Sequence, residues 1–219
     1  MCGRYYMSDD TIWEIERRTG EPMSRLWREL RNGTWDICPS QYAIVLRAEE
    51  DHLKAEKMQW GFPGFQGQGL LINARAESAL QKKTYRDSVL NRRCVIPAKG
   101  FYEWNSAKEK FAFESTEDPV LFLAGCFNWF ESERNPSAVR TTGTAGNQRE
   151  ERFVILTTEA RGRAAQIHER MPLLLRTDEI RIWLFDDEKT DRFLHREPDR
   201  KSTRLNSSHK VQSRMPSSA

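Results

Sequence analysis

No stretch of this 219-residue sequence approaches the ~20 consecutive apolar residues that cross a bilayer, and no basic start leads into an apolar export signal. An intracellular protein with no membrane partner is therefore expected. Cysteine is sparse: Cys2, Cys38, Cys94 and Cys126 stand far apart, with no Cys-x-x-Cys pair and no histidine at ligand spacing. That pattern argues against a zinc site or a thioredoxin-like redox pair, so no metal and no organic cofactor is expected. In a reducing compartment a free Cys2 thiol survives. Net charge is small too, because 35 Lys and Arg nearly offset 32 Asp and Glu to leave +3. No bulk charge announces a nucleic-acid binder. Most of the cations are arginines, which suit bidentate phosphate contacts, although Arg-rich chains are also common in high-GC genomes.

What is present suffices for one folded domain. The sequence is 38% hydrophobic, and its 7 Trp and 11 Phe argue against disorder. Ser8 stands ahead of Asp9, Asp10 and Thr11, and Gly20 follows Thr19. A cap, an acidic first turn and a terminal glycine predict a short helix. Residues 42–48, 53–60, 70–73, 94–96, 111–114, 120–130 and 153–158 are rich in β-branched and aromatic residues and predict strands. Helical patterns cover 85–92, 160–166 and 177–185. Strands cluster instead of alternating with helices. The expected class is therefore α+β, one domain around a curved, largely antiparallel sheet with peripheral helices. Residues 131–151, polar and rich in Gly, Thr, Asn and Arg, predict a long surface loop. The domain is expected to span residues 1–200. Residues 201–219 hold six serines, no aromatics and no periodicity, which predicts a disordered tail of foreign-looking sequence.

Four segments carry chemistry. Removal of Met1 would leave Cys2 with a free α-amine beside its own thiol. An α-amine titrates near ~8 and a thiol near ~8.5, so both are expected to be partly available at neutral pH. The amine can condense with an aldehyde, and the thiol can then close a five-membered thiazolidine on the same carbon. Taken by itself, a cysteine at position two is more simply a chance neighbour of the start codon. Gly3 keeps bulk away, and Arg4 offers a fixed cation to a phosphate. Next, Asn73, Arg75 and Glu77 share one face if the strand at 70–73 continues through them. Solvated polar residues at a strand edge explain the same pattern. Glu103 lies between Tyr102 and Trp104, where partial desolvation raises a carboxyl pKa toward the range useful for proton transfer. A surface Glu alternating with buried aromatics has the same signature. Last, His168 follows a helical pattern and is a natural acid or base near neutral pH, although a lone His is more often structural.

Cys2-Gly3-Arg4, Asn73-Ala74-Arg75, Phe101-Tyr102-Glu103-Trp104 and His168-Glu169-Arg170-Met171-Pro172 occur in the order and approximate spacing of the SRAP family, the abasic-site processing proteins. Trp60-Gly61 also resembles the family's tryptophan-glycine segment. The resemblance covers about residues 1–193. It implies that Cys2, exposed by self-catalysed removal of Met1, forms a covalent thiazolidine link to the ring-opened aldehyde of an abasic site in single-stranded DNA. By the same resemblance Asn73 would orient the Cys2 amine, Glu103 would handle protons at the amine and the sugar, and His168 would assist ring opening or imine formation. Arg4 and Arg75 would bind the flanking phosphates, with Trp60, Tyr102 and Trp104 completing the DNA contacts. The implied protein is a monomer of the bacterial cytoplasm, associated with the nucleoid, or of the nucleus in a eukaryote. Two departures stand out. Asp36-Ile37-Cys38-Pro39 replaces an asparagine-containing segment ending in Ala-Pro, placing a negative charge near the DNA. The family's final segment is expected to have no counterpart after Arg200.

Two other readings stay open. One is an N-terminal-nucleophile amidohydrolase or cysteine peptidase using Cys2 with His168, recognisable by amide turnover in trans. The other is a non-covalent single-strand binder with Trp60, Phe62, Tyr102 and Trp104 as stacking platforms, which would hold intact and abasic DNA equally.

Overall fold

Helix α1 (Asp9–Thr19) forms where its caps predict. The Ser8 N–H donates to Thr11 Oγ1 at 3.1 Å, and Gly20, with φ 73°, returns its own N–H to the Glu16 carbonyl at 2.8 Å. Its buried face carries Ile12 and Ile15 into the core. The computed structural model describes residues 2–23, 35–131, 149–196 and 205–209.

A ring of five strands forms the centre of that core. The hairpin of β3 (Tyr42–Glu49) and β4 (His52–Trp60) turns at Glu50, whose φ is 52°. β3 pairs antiparallel with β8 (Arg93–Ala98), β8 with β11 (Leu121–Glu131), and β11 with β12 (Arg149–Glu159). β12 then meets β4 in parallel, Arg152 opposite Gln59 and Phe153 opposite Trp60, and the ring closes. Every residue of β8 is buried, the continuous pattern of a strand covered on both faces. At Gly125 a Cβ would stand 2.5 Å from Ile96 Cδ1 and 2.7 Å from the Val154 carbonyl oxygen, so only glycine lets these strands approach. The α+β class agrees with expectation, and the sheet is largely antiparallel. The parallel closure joins residues that no local pattern connects.

A second sheet flanks the ring, in the order β15 (Leu205–His209), β10 (Lys110–Ser115), β9 (Gly100–Trp104), β1 (Arg4–Tyr6) and β2 (Asp36–Ile37). Only Lys99 separates β8 from β9, so one chain segment serves both sheets. Leu205–His209 corrects the expectation of a wholly structureless tail: this strand lies antiparallel on β10 from Phe111↔His209 to Ser115↔Leu205. Its alternation of one buried leucine with small polar residues suits an edge strand better than a helix. Residues 201–204 and 210–219 lie outside the described residues, as does 132–148 of the expected surface loop.

The remaining elements hang on β12. β5 (Phe62–Pro63) and β6 (Leu70–Leu71) form a small hairpin, and β7 (Asn73–Arg75) lies parallel on β12 with Asn73 opposite Ile155. The strand ends at Arg75, because α2 (Ala76–Ala79) begins there; Glu77 is therefore helical, contrary to the expected single strand face. α3 (Lys83–Asn91) follows, then α4 (Gly162–Ala165), β13 (Arg170–Pro172), β14 (Leu174–Leu175), α5 (Glu179–Phe185) and α6 (Thr190–His195). Arg93 ties several of these together. Its buried guanidinium donates to the carbonyls of Val89, Leu90 and Trp183 and to Asp187 Oδ1, joining the end of α3 to α5. Among the described residues no helix is long and apolar enough to cross a membrane.

Candidate active site

Cys2 lies two residues before β1, fully buried, with its Sγ 3.7 Å from the Arg4 carbonyl oxygen. Burial, and then the carboxyl of Glu103, push the thiol well above its ordinary pKa. This corrects the expectation that the thiol is partly ionised at neutral pH: in this fold it is held as the neutral thiol.

Three other elements bring side chains to the same place. From β7, Asn73 Nδ2 donates a 2.8 Å hydrogen bond to the Cys2 carbonyl oxygen, while its Oδ1 is buried with no hydrogen-bond partner. The Asn73 carbonyl in turn accepts from the Tyr85 hydroxyl at 3.3 Å. From β9, Glu103 is 3% exposed, and burial raises its pKa from 4.5 to about 7. The flanking aromatics signalled that desolvation. From the turn between α4 and β13 comes His168, whose Nδ1 accepts the Arg170 N–H at 2.9 Å and so leaves the ring proton to Nε2. Burial lowers its pKa, and the Glu103 carboxyl acts on the Cys2 thiol, which links those two to one locus. Arg170 fixes that turn. It grips Glu77 in a two-point ion pair at 2.8 and 2.9 Å and donates to the Thr157 carbonyl at 2.7 Å.

The expected DNA-contact residues divide. Arg4 and Trp104 are part-exposed neighbours, with the guanidinium 6.0 Å from the indole centroid, and Arg75 is exposed where β7 passes into α2. Tyr102 is mostly buried, stacked on Tyr6 at 4.8 Å. Trp60 is a correction. It has no exposed surface, donates from Nε1 to the Ile72 carbonyl at 2.9 Å and stacks on Phe153, so it is core and offers no face to a base. Phe62 is equally buried. An aromatic that is exposed instead is Phe65, 84% accessible at the tip of the β5–β6 hairpin; Trp13 on α1 and Trp129 on β11 are exposed elsewhere. Sequence reading passed over Phe65, although one aromatic set among Gly64, Gly67 and Gly69 is a usable signal of a displayed ring.

A family model described as SOS response associated peptidase (SRAP) matches residues 1–217. The chain is similar to the abasic site processing protein YoqW of Bacillus subtilis, 26% identical over 197 residues, covering 84% of this chain and 80% of that protein. It is also similar to the abasic site processing protein YedK of Escherichia coli, 26% identical over 157 residues, with 69% of this chain and 64% of that one covered. Similarity to the abasic site processing protein HMCES of Gallus gallus is 29% identity over 135 residues, 51% of this chain and 37% of that one. Among solved structures, a Bacteroides thetaiotaomicron protein shares the fold at a TM-score of 0.77 and 16% identity, covering 96% of this chain and 93% of its own. A Bordetella bronchiseptica protein does so at 0.71 and 20%, covering 96% and 100%.

Proposed function

The chain belongs to the SRAP family, and from that premise we propose that it processes abasic sites in single-stranded DNA by covalent capture on Cys2. The observation that carries the reading is the convergence of a buried carboxyl of raised pKa and an asparagine on the residue that would become the amino terminus. Hydrolysis of the Met1–Cys2 bond consumes one water and frees the Cys2 amine. The amine attacks the C1′ aldehyde of the ring-opened sugar and loses water to give an imine. The thiol then adds to the imine carbon as its proton passes to nitrogen, closing a thiazolidine. Closure removes the electron-withdrawing iminium that would otherwise acidify the neighbouring carbon and favour strand cleavage.

The residues suit these steps. Glu103, near pKa 7, can take a proton from the attacking amine and return it to the departing hydroxyl. The unpaired Asn73 Oδ1 is an acceptor suited to the newly freed amine. His168, neutral and with Nε2 protonated, can donate to the sugar oxygen as the ring opens. A neutral, buried thiol favours the order amine first and thiol second, and it disfavours the rival peptidase, which needs an accessible thiolate for substrates in trans. Arg4 and Arg75 take the flanking phosphates, and Phe65 takes over the stacking role expected of Trp60. Neither a metal nor an organic cofactor enters these steps.

Denaturing electrophoresis after mixing the protein with a single-stranded oligonucleotide carrying one abasic site tests the proposal. A shifted, denaturation-stable band is expected from abasic DNA alone. It should be absent with Cys2→Ala and weak or reversible with Cys2→Ser. Equal adduct from Cys2→Ala would remove Cys2 from the mechanism.

A further inference from the structure

Asp36 sits among residues with assigned roles without having one itself. It reaches them by register: on β2 it lies opposite Tyr6, beside Arg4 on β1. Its Oδ2 is 3.7 Å from the Arg4 guanidinium and 4.0 Å from Lys110 Nζ, and its Oδ1 accepts the Tyr102 hydroxyl at 3.2 Å. Lys110 arrives from β10, where it pairs with Trp104. Its ammonium lies 3.7 Å from the Tyr102 ring centroid and 6.0 Å from that of Trp104, the same indole that Arg4 approaches at 6.0 Å. Two cations thus gather at one indole, and the Asp36 carboxylate lies within 4.0 Å of both. At 3.7 Å the Arg4 pair is longer than a hydrogen bond, so Asp36 cancels charge without occupying a donor. Arg4 Nε is buried without a partner.

We propose that Lys110 is a second phosphate contact beside Arg4, and that Asp36 is the internal anion which both cations exchange for a DNA phosphate. The inference rests on the reading of the chain as a DNA-processing protein. Binding moves a phosphate to the two cations while the Asp36 carboxylate stays close by and opposes it. The grip on undamaged single strands is thereby kept shallow, and the covalent step decides which strand is retained. Lys110 also lies along the π-faces of Tyr102 and Trp104, which position its ammonium.

Fluorescence anisotropy of an intact single-stranded oligonucleotide, titrated with the full chain over a salt series, tests this apart from the crosslinking chemistry. Asp36→Asn, which preserves shape and the acceptor for Tyr102, is expected to tighten binding by up to about fivefold, the scale of a partly exposed ion pair. It should also steepen the dependence of log K on log salt by up to ~0.7, the share of one neutralised phosphate on a single strand. Asp36→Glu should stay near wild type. Lys110→Ala should weaken binding and flatten the slope, and the double variant should retain less of the gain than Asp36→Asn alone. If Lys110→Ala melts early, Lys110→Gln keeps the stem on the Tyr102 ring and serves in its place. Affinity unchanged or weakened in Asp36→Asn overturns the proposal, as does a gain of equal size with and without Lys110. Failure of the wild-type chain to bind any single strand at low salt overturns the DNA reading itself.

Discussion

Asn73 and Cys2, 71 positions apart, are joined by a 2.8 Å hydrogen bond from the Asn73 side-chain amide to the Cys2 carbonyl. The bond holds the segment leading into β1 against β7, and β7 is itself held on β12. It thus ties the start of the chain to the central ring through one side chain.

Asn73→Ala leaves a buried carbonyl without its donor and should lower stability by about 1–2 kcal/mol. Adduct yield should fall more than that loss explains, because the start of the chain is no longer fixed beside Glu103. Thermal melts and the abasic-site gel on the same preparation measure the two effects. A variant with a normal melt and a normal yield would leave Asn73 without a role.

Glu103 ties activity to stability with opposite signs. Its folded pKa, about 7, lies above the ordinary 4.5, so the folded state is favoured fully below pH 4.5 and loses stability as pH rises through 7. Glu103→Gln should therefore be more stable than the parent at pH 8 by roughly 2–3 kcal/mol, an advantage that vanishes near pH 4. Adduct formation by the parent should rise through pH 7 as the carboxyl ionises, whereas Glu103→Gln should be slow and flat. A parent rate independent of pH from 6 to 8 would exclude Glu103 as the proton acceptor.

The two hairpin-region aromatics make opposite predictions. Trp60→Ala empties a buried site and should cost about 3–5 kcal/mol, detectable as a large fall in Tm. Phe65→Ala should leave Tm almost unchanged and weaken single-strand binding by about 1–3 kcal/mol, the range of one base stacked on an aromatic ring. Loss of stability on removing Phe65 would show that it packs.

Arg93→Lys retains the charge but not the fork that reaches several carbonyls at once. Urea unfolding should report a loss of about 2–4 kcal/mol, with adduct yield per folded molecule unchanged. Loss of adduct at full stability would mean that Arg93 acts on the site.

Local chemistry in the sequence announced much of this structure. Ser8 and Gly20 delimit α1 because a cap and a left-handed terminal residue are properties of single positions. The aromatic neighbours of Glu103 signalled its desolvation for the same reason. What stayed hidden was non-local. The parallel contact of Phe153 with Trp60 has no periodicity to betray it, and it places Trp60 in the core, where its composition alone also allowed a stacking surface. β1 is only three residues long and offers no pattern to read. The Cys2 thiol was misjudged because its pKa depends on burial by elements that come together only in three dimensions.

Phe153 pairs with Trp60 and Ile155 with Asn73, so residues 61–72 leave β12 and return to it two positions further on. Both ends are pinned: the Gly61 N–H donates to the Phe153 carbonyl at 2.8 Å, and the Ile155 N–H to the Ile72 carbonyl at 3.2 Å. The excursion that displays Phe65 is thus an inset whose length is independent of where Asn73 lands. The hairpin tip can be exchanged for others of different length and sequence while Phe62 stays packed in the core against Tyr85, because lengthening a surface loop costs only about 0.6 kcal/mol per doubling. On the proposed reading, in which Phe65 stacks on a base, residues 65–68 form an exchangeable cassette whose variation would alter strand preference apart from the covalent chemistry.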